Sequence, residues 1–375
     1  MKGPLQVVLL GCTGSIGVQA LDLIDRFPDH FEVFGLVSGT RPAGRPAPHV
    51  IRAADDPDGS AVRALVTHPE CDLVLVAISG AQALGPTLAA LDAGKMVALA
   101  SKEVLVMAGS LVMARALPNQ LRPVDSEHSA LWQCMWGESA ESVSRLVLTA
   151  SGGPFWGRPD LDLNRVSVAQ ALEHPRWSMG PKITIDSATM MNKGLELIEA
   201  HYLFGFPLER IEVVVHPESV VHSLVEFRDG GIKAQLSNPD MRLPIALALA
   251  YPERLPGVVP PTEVAGLGEL HFALLDPIRF PAVELARRSV ALGPPLPAVL
   301  NAANEEAVKR FLGGEIEFSK ILVLVAEAVE RFEGGGTTLA EILAADRWAR
   351  DYVGKSLSVS SASGPGKGRN LLESG

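Results

Sequence analysis

The sequence predicts an α/β protein built in three parts: an N-terminal doubly wound domain over residues 1–147, a central α+β domain over 148–250 and a C-terminal helical bundle over 282–358. Three observations carry this. Near-continuous apolar runs alternate with helical patterns in the first third, as strands buried on both faces of a parallel sheet require. From Ser144 the pattern changes to the runs RLVLTA, KITID, IEVVVH and SLVEF, separated by glycine-rich or charged loops. Beyond a proline cluster, four long stretches then read as helices.

The first strand is LQVVLL, Leu5 to Leu10. After it, Ala20, Leu21, Leu23, Ile24 and Phe27 recur at helical spacing, and Phe31 to Val37 forms a second strand. Similar strands fall at Asp72 to Ile78 and Met96 to Ala100, with an Ala/Leu-rich helix between them. Pro252, Pro256, Pro260, Pro261, Pro277 and Pro281 make residues 251–281 an extended connector, because proline removes a helical donor and clashes with the preceding turn. Ala282 to Ala291, Ala298 to Leu312, Ser319 to Phe332 and Thr338 to Val353 are the predicted bundle helices, and 359–375 reads as a disordered tail.

Composition narrows the function. The 375 residues are 47% hydrophobic and 20% charged, enough apolar material for more than one core. A net charge of −10 without a dense Lys/Arg run disfavours nucleic acid as a partner. Cys12, Cys71 and Cys134 are far apart and contain no CxxC pair, so neither a disulfide framework nor a thiolate metal site is expected, and a reducing cytoplasm fits. No apolar run reaches the roughly 18 to 20 residues that span a bilayer. The apolar stretch at the start is short and runs into glycines, so a soluble, unprocessed protein without a membrane role is expected.

Those glycines, Gly11, Gly14 and Gly17, lie between the first strand and the first helix as GxxGxxG. They permit a tight turn and close backbone approach, while the helix N-terminus offers N–H groups to a pyrophosphate, which makes the first domain Rossmann-like. An NAD enzyme usually carries an acid about 20 residues on. The stretch from Val33 to Ala54 has none and offers Gly39, Thr40 and Arg41 instead. A guanidinium suits a 2′-phosphate, so NADPH is expected over NADH, although Arg41 also reads as a solvated loop charge.

Asp125 and Glu127 are two residues apart, which on an extended segment turns both carboxylates to one face. Oxygen donors of this kind suit Mg²⁺ or Mn²⁺, and Glu196 is a candidate third ligand. In the helix expected to start between Thr189 and Asn192, Asn192 and Glu196 share a face and Lys193 borders it, with Ser187 just before. Such a cluster suits an anionic phosphate, and it equally suits an amphipathic surface helix with an N-terminal cap. Ser151-Gly152-Gly153-Pro154 is a turn that can form an anion nest. The loop 174–180 places Trp177 in a polar segment bounded by Pro175 and Gly180, as a lid or as a core plug. His216 and His222 read as sheet residues rather than ligands.

The motifs GCTGSIG at Gly11, ASKE at Ala100, DSEHSA at Asp125, SGGPF at Ser151, HPRWSMGPKITIDSATMMNKGLE at His174 and HPESVVHS at His216 together resemble the 1-deoxy-D-xylulose 5-phosphate reductoisomerase family over nearly the whole chain. The resemblance implies a homodimer that converts 1-deoxy-D-xylulose 5-phosphate, a small phosphorylated sugar, to 2-C-methyl-D-erythritol 4-phosphate with NADPH and one divalent cation (Mg²⁺, Mn²⁺ or Co²⁺). It implies Asp125, Glu127 and Glu196 as metal ligands, and Lys102 and Glu127 at the reacting centre. Substrate would be held by Lys102, Ser126, Glu127, Ser151, His174, Trp177, Ser187, Asn192, Lys193 and Glu196. Cofactor would be held by Thr13, Gly14, Ser15, Ile16, Gly39, Thr40, Arg41, Ser101, Glu103 and Gly180. This chain departs from the family pattern at Thr40-Arg41, where many relatives have Lys-Asn, and at Ser101, where Asn is usual. A dehydrogenase acting without rearrangement is the first rival, but it would normally need a nucleophilic cysteine in the second domain. A non-catalytic NADPH sensor is the second, and it would not need three carboxylates beside a phosphate cluster.

Overall fold

In a computed structural model, residues 3–174 and 179–362 are described, side chains of 357–362 excepted. The first part is a six-stranded, wholly parallel sheet in the order β3-β2-β1-β4-β5-β6. Its strands are β1 (Leu5–Leu10), β2 (Phe31–Ser38), β3 (His49–Arg52), β4 (Leu73–Val76), β5 (Met96–Leu99) and β6 (Leu121–Pro123). The crossover helices are α1 (Ser15–Arg26), α2 (Ser60–Val66), α3 (Leu84–Asp92) and α4 (Glu103–Met113). β4 and residues Val7 to Leu10 of β1 are buried on both faces, which explains their uninterrupted apolar sequence. α5 (Ser126–Cys134) leaves this sheet towards the second.

The second sheet has five strands in the order β10-β9-β7-β8-β11: β7 (Val143–Ala150), β8 (Ile211–Val215), β9 (Val221–Phe227), β10 (Ile232–Leu236) and β11 (Ala273–Leu274). β7 and β8 are parallel and the other pairs antiparallel. Between β7 and β8 come α6 (Val168–Ala171), α7 (Pro181–Ala188) and α8 (Met191–Phe204). α9 (Arg242–Ala250) follows β10. α10 (Ala282–Ala291), α11 (Leu296–Leu312), α12 (Lys320–Arg331) and α13 (Leu339–Ala362) form the helical part.

Several elements differ from the sequence reading. KITID is the start of α7, not a strand: Gly180 is its N-cap and Pro181 occupies the first turn, where a missing N–H costs nothing. The division at residue 147 passes through β7. α9, read as central, packs on the first sheet instead, where Ile245, Ala246, Ala248 and Leu249 join Val7, Leu9, Leu23 and Leu75 in one core. β3 and α2 lie in a segment where no element was expected. The last helix reaches Ala362, so the expected tail begins too early, and residues 363–375 lie outside the described residues.

α8 is the central strut. Val106 of α4, Leu195 and Ile198 of α8, Ala282 and Ala286 of α10 and Val299 of α11 belong to one core. Gly194 makes the α10 approach possible: a Cβ there would lie 2.9 Å from the carbonyl oxygen of Ala282. Each fully buried Leu or Ile contributes about 1.5–3 kcal/mol relative to exposure, so α8 is anchored by packing while its polar edge is left to the site.

Candidate active site

The glycine loop follows β1. Gly11 has φ +90°, and a Cβ at Gly17 would sit 2.3 Å from the Gly11 carbonyl oxygen, so the turn into α1 requires glycine at both places. Gly14 is the N-cap of α1 and no side chain caps the helix, which leaves first-turn N–H groups for a ligand. Arg41, in the exposed segment Gly39-Thr40-Arg41 after β2, donates from Nη2 to the Thr13 carbonyl at 3.3 Å. That bond places the guanidinium beside the loop. Ser101 Oγ donates to the carbonyls of Val76 (3.2 Å) and Ile78 (2.5 Å), tying the carboxyl ends of β4 and β5 together. Burial raises the Glu103 carboxyl above its usual range despite Lys182 Nζ at 3.9 Å.

Where the two sheets meet, charge is concentrated. Asp125 is the N-cap of α5 and Glu127 lies in its first turn. The pair therefore converges through a helix start rather than the extended segment expected, and Asp followed two residues later by Glu is itself an N-terminus signal. α8 supplies Asn192, Lys193 and Glu196 on one side, and Lys102 at the start of α4 faces them. Lys102 Nζ lies 2.6 Å from Asp125 Oδ2, 3.1 Å from Glu196 Oε1 and 2.8 Å from Asn192 Oδ1. Lys193 Nζ reaches Glu127 Oε1 at 2.7 Å and also bonds Glu196 Oε2. Ser126 Oγ donates to Glu127 Oε2 at 2.5 Å, and Asn192 Nδ2 to Glu196 Oε1.

Three carboxylates thus share two ammonium groups. Burial, reinforced by the charge of Glu127, raises Glu196 to about 7. Burial also opposes ionisation of Asp125, but Lys102, His128 and Lys193 outweigh it and hold that carboxyl below its usual range. For Lys102, burial is outweighed by Asp125, Glu196 and Glu199, so its ammonium is held charged more firmly than usual.

One oxygen from each of Asp125, Glu127 and Glu196 lies within 4.8 Å of the others. Asp125 Oδ2 is buried against Lys102 Nζ at 2.6 Å. An all-oxygen set of three converging carboxylates fits a hard divalent cation. Asp125, His128 Nδ1 and Glu199 converge similarly, but His128 and Glu199 are buried behind the site and do not line the cavity. The first set faces the cavity. His128 Nε2 lies 2.9 Å from the Glu196 carbonyl, which can only accept, so Nε2 carries the proton.

A third cluster follows β7. Ser151 Oγ is 3.1 Å and Ser187 Oγ 3.0 Å from His174 Nε2, so two hydroxyls and an imidazole meet at one point. Burial lowers the basicity of His174. Ser187 precedes α8, as expected, and itself lies inside α7. Trp177, with Pro175, Arg176 and Ser178, lies outside the described residues, so the expected lid 174–180 is represented by His174, Met179 and Gly180.

A single cavity of about 760 Å³ joins these features, with Ser15 and Ile16 at one side and Lys102, Asp125, Glu127, Ser151, Ser187, Lys193 and Glu196 at the other. Thr13, Gly14, Gly39, Thr40, Arg41, Ser101 and Glu103 do not line it. The cavity also includes residues that the sequence reading did not assign: Ser219, His222 and the segment Pro239–Arg242. HPESVVHS is among the family motifs, but in the sequence its histidines read as sheet residues and neither of its serines, Ser219 and Ser223, carries a role.

Family models match this chain in three places. That described as 1-deoxy-D-xylulose 5-phosphate reductoisomerase matches residues 7–44 and 55–109, the C-terminal domain of the same enzyme matches 121–204, and the DXP reductoisomerase C-terminal domain matches 236–352. The chain is similar to the 1-deoxy-D-xylulose 5-phosphate reductoisomerase of Symbiobacterium thermophilum, at 51% identity over 92% of this chain and 97% of that one. It is also similar to that of Mycobacterium avium, at 46% identity over 95% and 94%. Among solved structures, the reductoisomerase from Zymomonas mobilis in complex with NADPH has a TM-score of 0.85 and 38% identity, covering 94% of this chain and 99% of that one. A reductoisomerase in complex with NADPH, fosmidomycin and magnesium has a TM-score of 0.86 and 36% identity, covering 95% and 99%.

Proposed function

This chain belongs to the 1-deoxy-D-xylulose 5-phosphate reductoisomerase family, and from that premise we propose how its residues divide the work. The protein rearranges and reduces 1-deoxy-D-xylulose 5-phosphate to 2-C-methyl-D-erythritol 4-phosphate, using NADPH and a divalent cation, in the non-mevalonate route to isoprenoid precursors. The observation that best supports the assignment of residues is the single cavity in which the glycine loop, the carboxylate set and the serine–histidine cluster meet. Neither rival reading needs all three together.

Thr13, Gly14, Ser15 and Ile16 hold the NADPH pyrophosphate at the start of α1 through backbone N–H groups. Arg41, fixed beside Thr13, takes the 2′-phosphate, with Gly39 and Thr40 allowing its approach. Ser101 shapes the pocket through its bonds to the ends of the neighbouring strands, and Glu103 and Gly180 complete the cofactor site.

Asp125, Glu127 and Glu196 hold the cation, which when bound supplies Lewis-acid polarisation of substrate oxygens. Lys102 stays protonated in this acidic surrounding, so its Nζ acts as a hydrogen-bond donor to a substrate oxygen that gains negative charge, not as a base. Ser126 and Glu127 orient the carbon backbone of the substrate. Ser151, His174, Ser187, Asn192 and Lys193 bind the phosphate, and Trp177 closes over the ligand. Binding a remote phosphate supplies orientation that the reacting carbons alone cannot.

We further propose a homodimer. It is supported by the family resemblance and by the exposed apolar side chains Phe272, Leu274 and Ile278 at and beyond the short edge strand β11. A cytoplasmic location is supported by three buried free cysteines, and no described helix is long and apolar enough to cross a membrane.

The test is NADPH absorbance at 340 nm after addition of 1-deoxy-D-xylulose 5-phosphate, with Mn²⁺ or Mg²⁺ and then with chelator. Oxidation that stops with chelator and yields 2-C-methyl-D-erythritol 4-phosphate is expected. Folded, metal-loaded protein that binds NADPH but does not oxidise it would overturn the reading.

A further inference from the structure

The turn between β8 and β9 holds a residue to which no role has been assigned. Ser219 has φ +54°, a left-handed conformation that non-glycine residues adopt rarely and that persists where the surroundings over-determine it. Here the surroundings do so. His216 N donates to the Ala150 carbonyl at 2.7 Å, joining this turn to the end of β7, and Ser219 N donates to the His216 carbonyl at 3.1 Å. His216 Nε2 accepts from the N–H groups of Val220 (3.2 Å) and Val221 (3.1 Å). The opposite ring nitrogen therefore carries the proton and donates to the His271 carbonyl at 2.8 Å, while Phe272 stacks on the ring at 4.6 Å. A neutral histidine thus locks the turn.

The turn presents Ser219 at the carboxyl end of β8, beside the Ser151 loop at the carboxyl end of its parallel neighbour β7. Ligands of parallel sheets bind at such ends. Ser219 is only 9% exposed, lines the cavity, and its Oγ has no hydrogen-bond partner. The other serine and threonine hydroxyls along the cavity are engaged: Ser15 with Gln19, Ser126 with Glu127, Ser151 and Ser187 with His174, and Thr149 with the carbonyls of Val221 and His222. A buried hydroxyl on a strained backbone is doubly unfavourable unless something bonds to it.

We propose that Ser219 is a substrate-binding residue whose hydroxyl donates a hydrogen bond to an oxygen of the phosphorylated ketose, in the part of the cavity walled by the ends of β7 and β8. This rests on the reductoisomerase reading above. Rotation about one side-chain bond moves Oγ among three staggered positions, so the hydroxyl meets the ligand without movement of the locked turn.

Steady-state kinetics of Ser219→Ala, Ser219→Gly and Ser223→Ala test it, with NADPH affinity measured by fluorescence for each. Ser223 is the control: its Oγ is equally buried and unpartnered, but it does not line the cavity. Both Ser219 variants should raise the substrate KM about three- to tenfold, the range of one hydrogen bond, with a smaller change in kcat and unchanged NADPH affinity. Glycine should do so while raising Tm, because it relieves the left-handed strain. Ser223→Ala should keep the parent KM. A Ser219→Ala KM within about twofold of the parent overturns the proposal, as does normal KM in Ser219→Gly, which would assign the effect to the shape of the turn. A parent protein that does not turn over the ketose overturns both this inference and the reading beneath it.

Discussion

The carboxylate set and the glycine loop open into one cavity but are built on opposite principles. Around Glu196, recognition is held in side chains: three acids, two ammonium groups and an amide, nearly all withdrawn from water and bonded to one another. At Gly11–Gly17 it is held in backbone, with no side-chain cap on α1 and a guanidinium in an exposed segment. Buried charges interact strongly and leave a large unpaired residue of energy when one is removed, whereas exposed ones are screened. Substitutions in the first region should therefore act through charge, and those in the second through space.

The largest effect is expected from Glu196→Gln. It removes one proposed ligand carboxylate and one of the acids beside Lys102 and Lys193, so turnover should fall about 100-fold or more and Mn²⁺ affinity with it, while NADPH affinity stays at the parent value. Isothermal titration with Mn²⁺ and with NADPH separates the two, and normal Mn²⁺ binding would remove Glu196 from the ligand set. Lys193→Ala follows, with a rise in substrate KM of about 10- to 100-fold from the loss of a charged donor. An unchanged KM would break its assignment to the phosphate.

On the backbone side, Gly17→Ala places a Cβ within 2.3 Å of a carbonyl oxygen. A loss of about 1–3 kcal/mol in stability is expected, together with weaker NADPH binding and unaltered Mn²⁺ affinity, read by urea unfolding and fluorescence titration. Arg41→Ala should have the smallest effect on binding: NADPH affinity falls about tenfold or less and NADH affinity does not, because only the 2′-phosphate is lost. Equal effects on both nucleotides would show that Arg41 acts on the loop alone.

A pH measurement sharpens the contrast. Burial pushes His128 down to about 4 from an ordinary value near 6.5. Between those values the unfolded chain binds the proton and the folded one does not, so this contribution is present above about 6.5 and is lost as pH falls towards 4. In the presence of chelator, the parent should lose stability more steeply over that window than His128→Gln, by up to roughly 3 kcal/mol in all. Parallel pH profiles would contradict a neutral, buried His128. No comparable difference is expected from Arg41→Ala.

Legibility in the sequence followed the same division. The parallel strands announced themselves because burial on both faces leaves few polar positions, as in LQVVLL, and the loop did because only glycine tolerates the Gly11–Gly17 approach. Asp125, Glu127 and Glu196 were named from oxygen chemistry and family motif, but the geometry that unites them was misread. Asp125-Ser126-Glu127 starts a helix, and ITI within KITID suggested a strand until Gly180-Pro181 is taken as a helix start. Local propensity is weak beside the packing of α7 and α8 against the helical part.

By itself, then, the sequence determined which chemical groups this protein possesses and the periodicity of most of its strands and helices, because both depend on residues near one another in the chain. Tertiary structure decided that α9 packs on the first sheet rather than the second, that Lys102 meets an acid 94 residues away, and that Ser219 reaches the cavity on a locked left-handed turn. These depend on which apolar faces bury one another, and on charges that settle into pairs only after burial has brought them together.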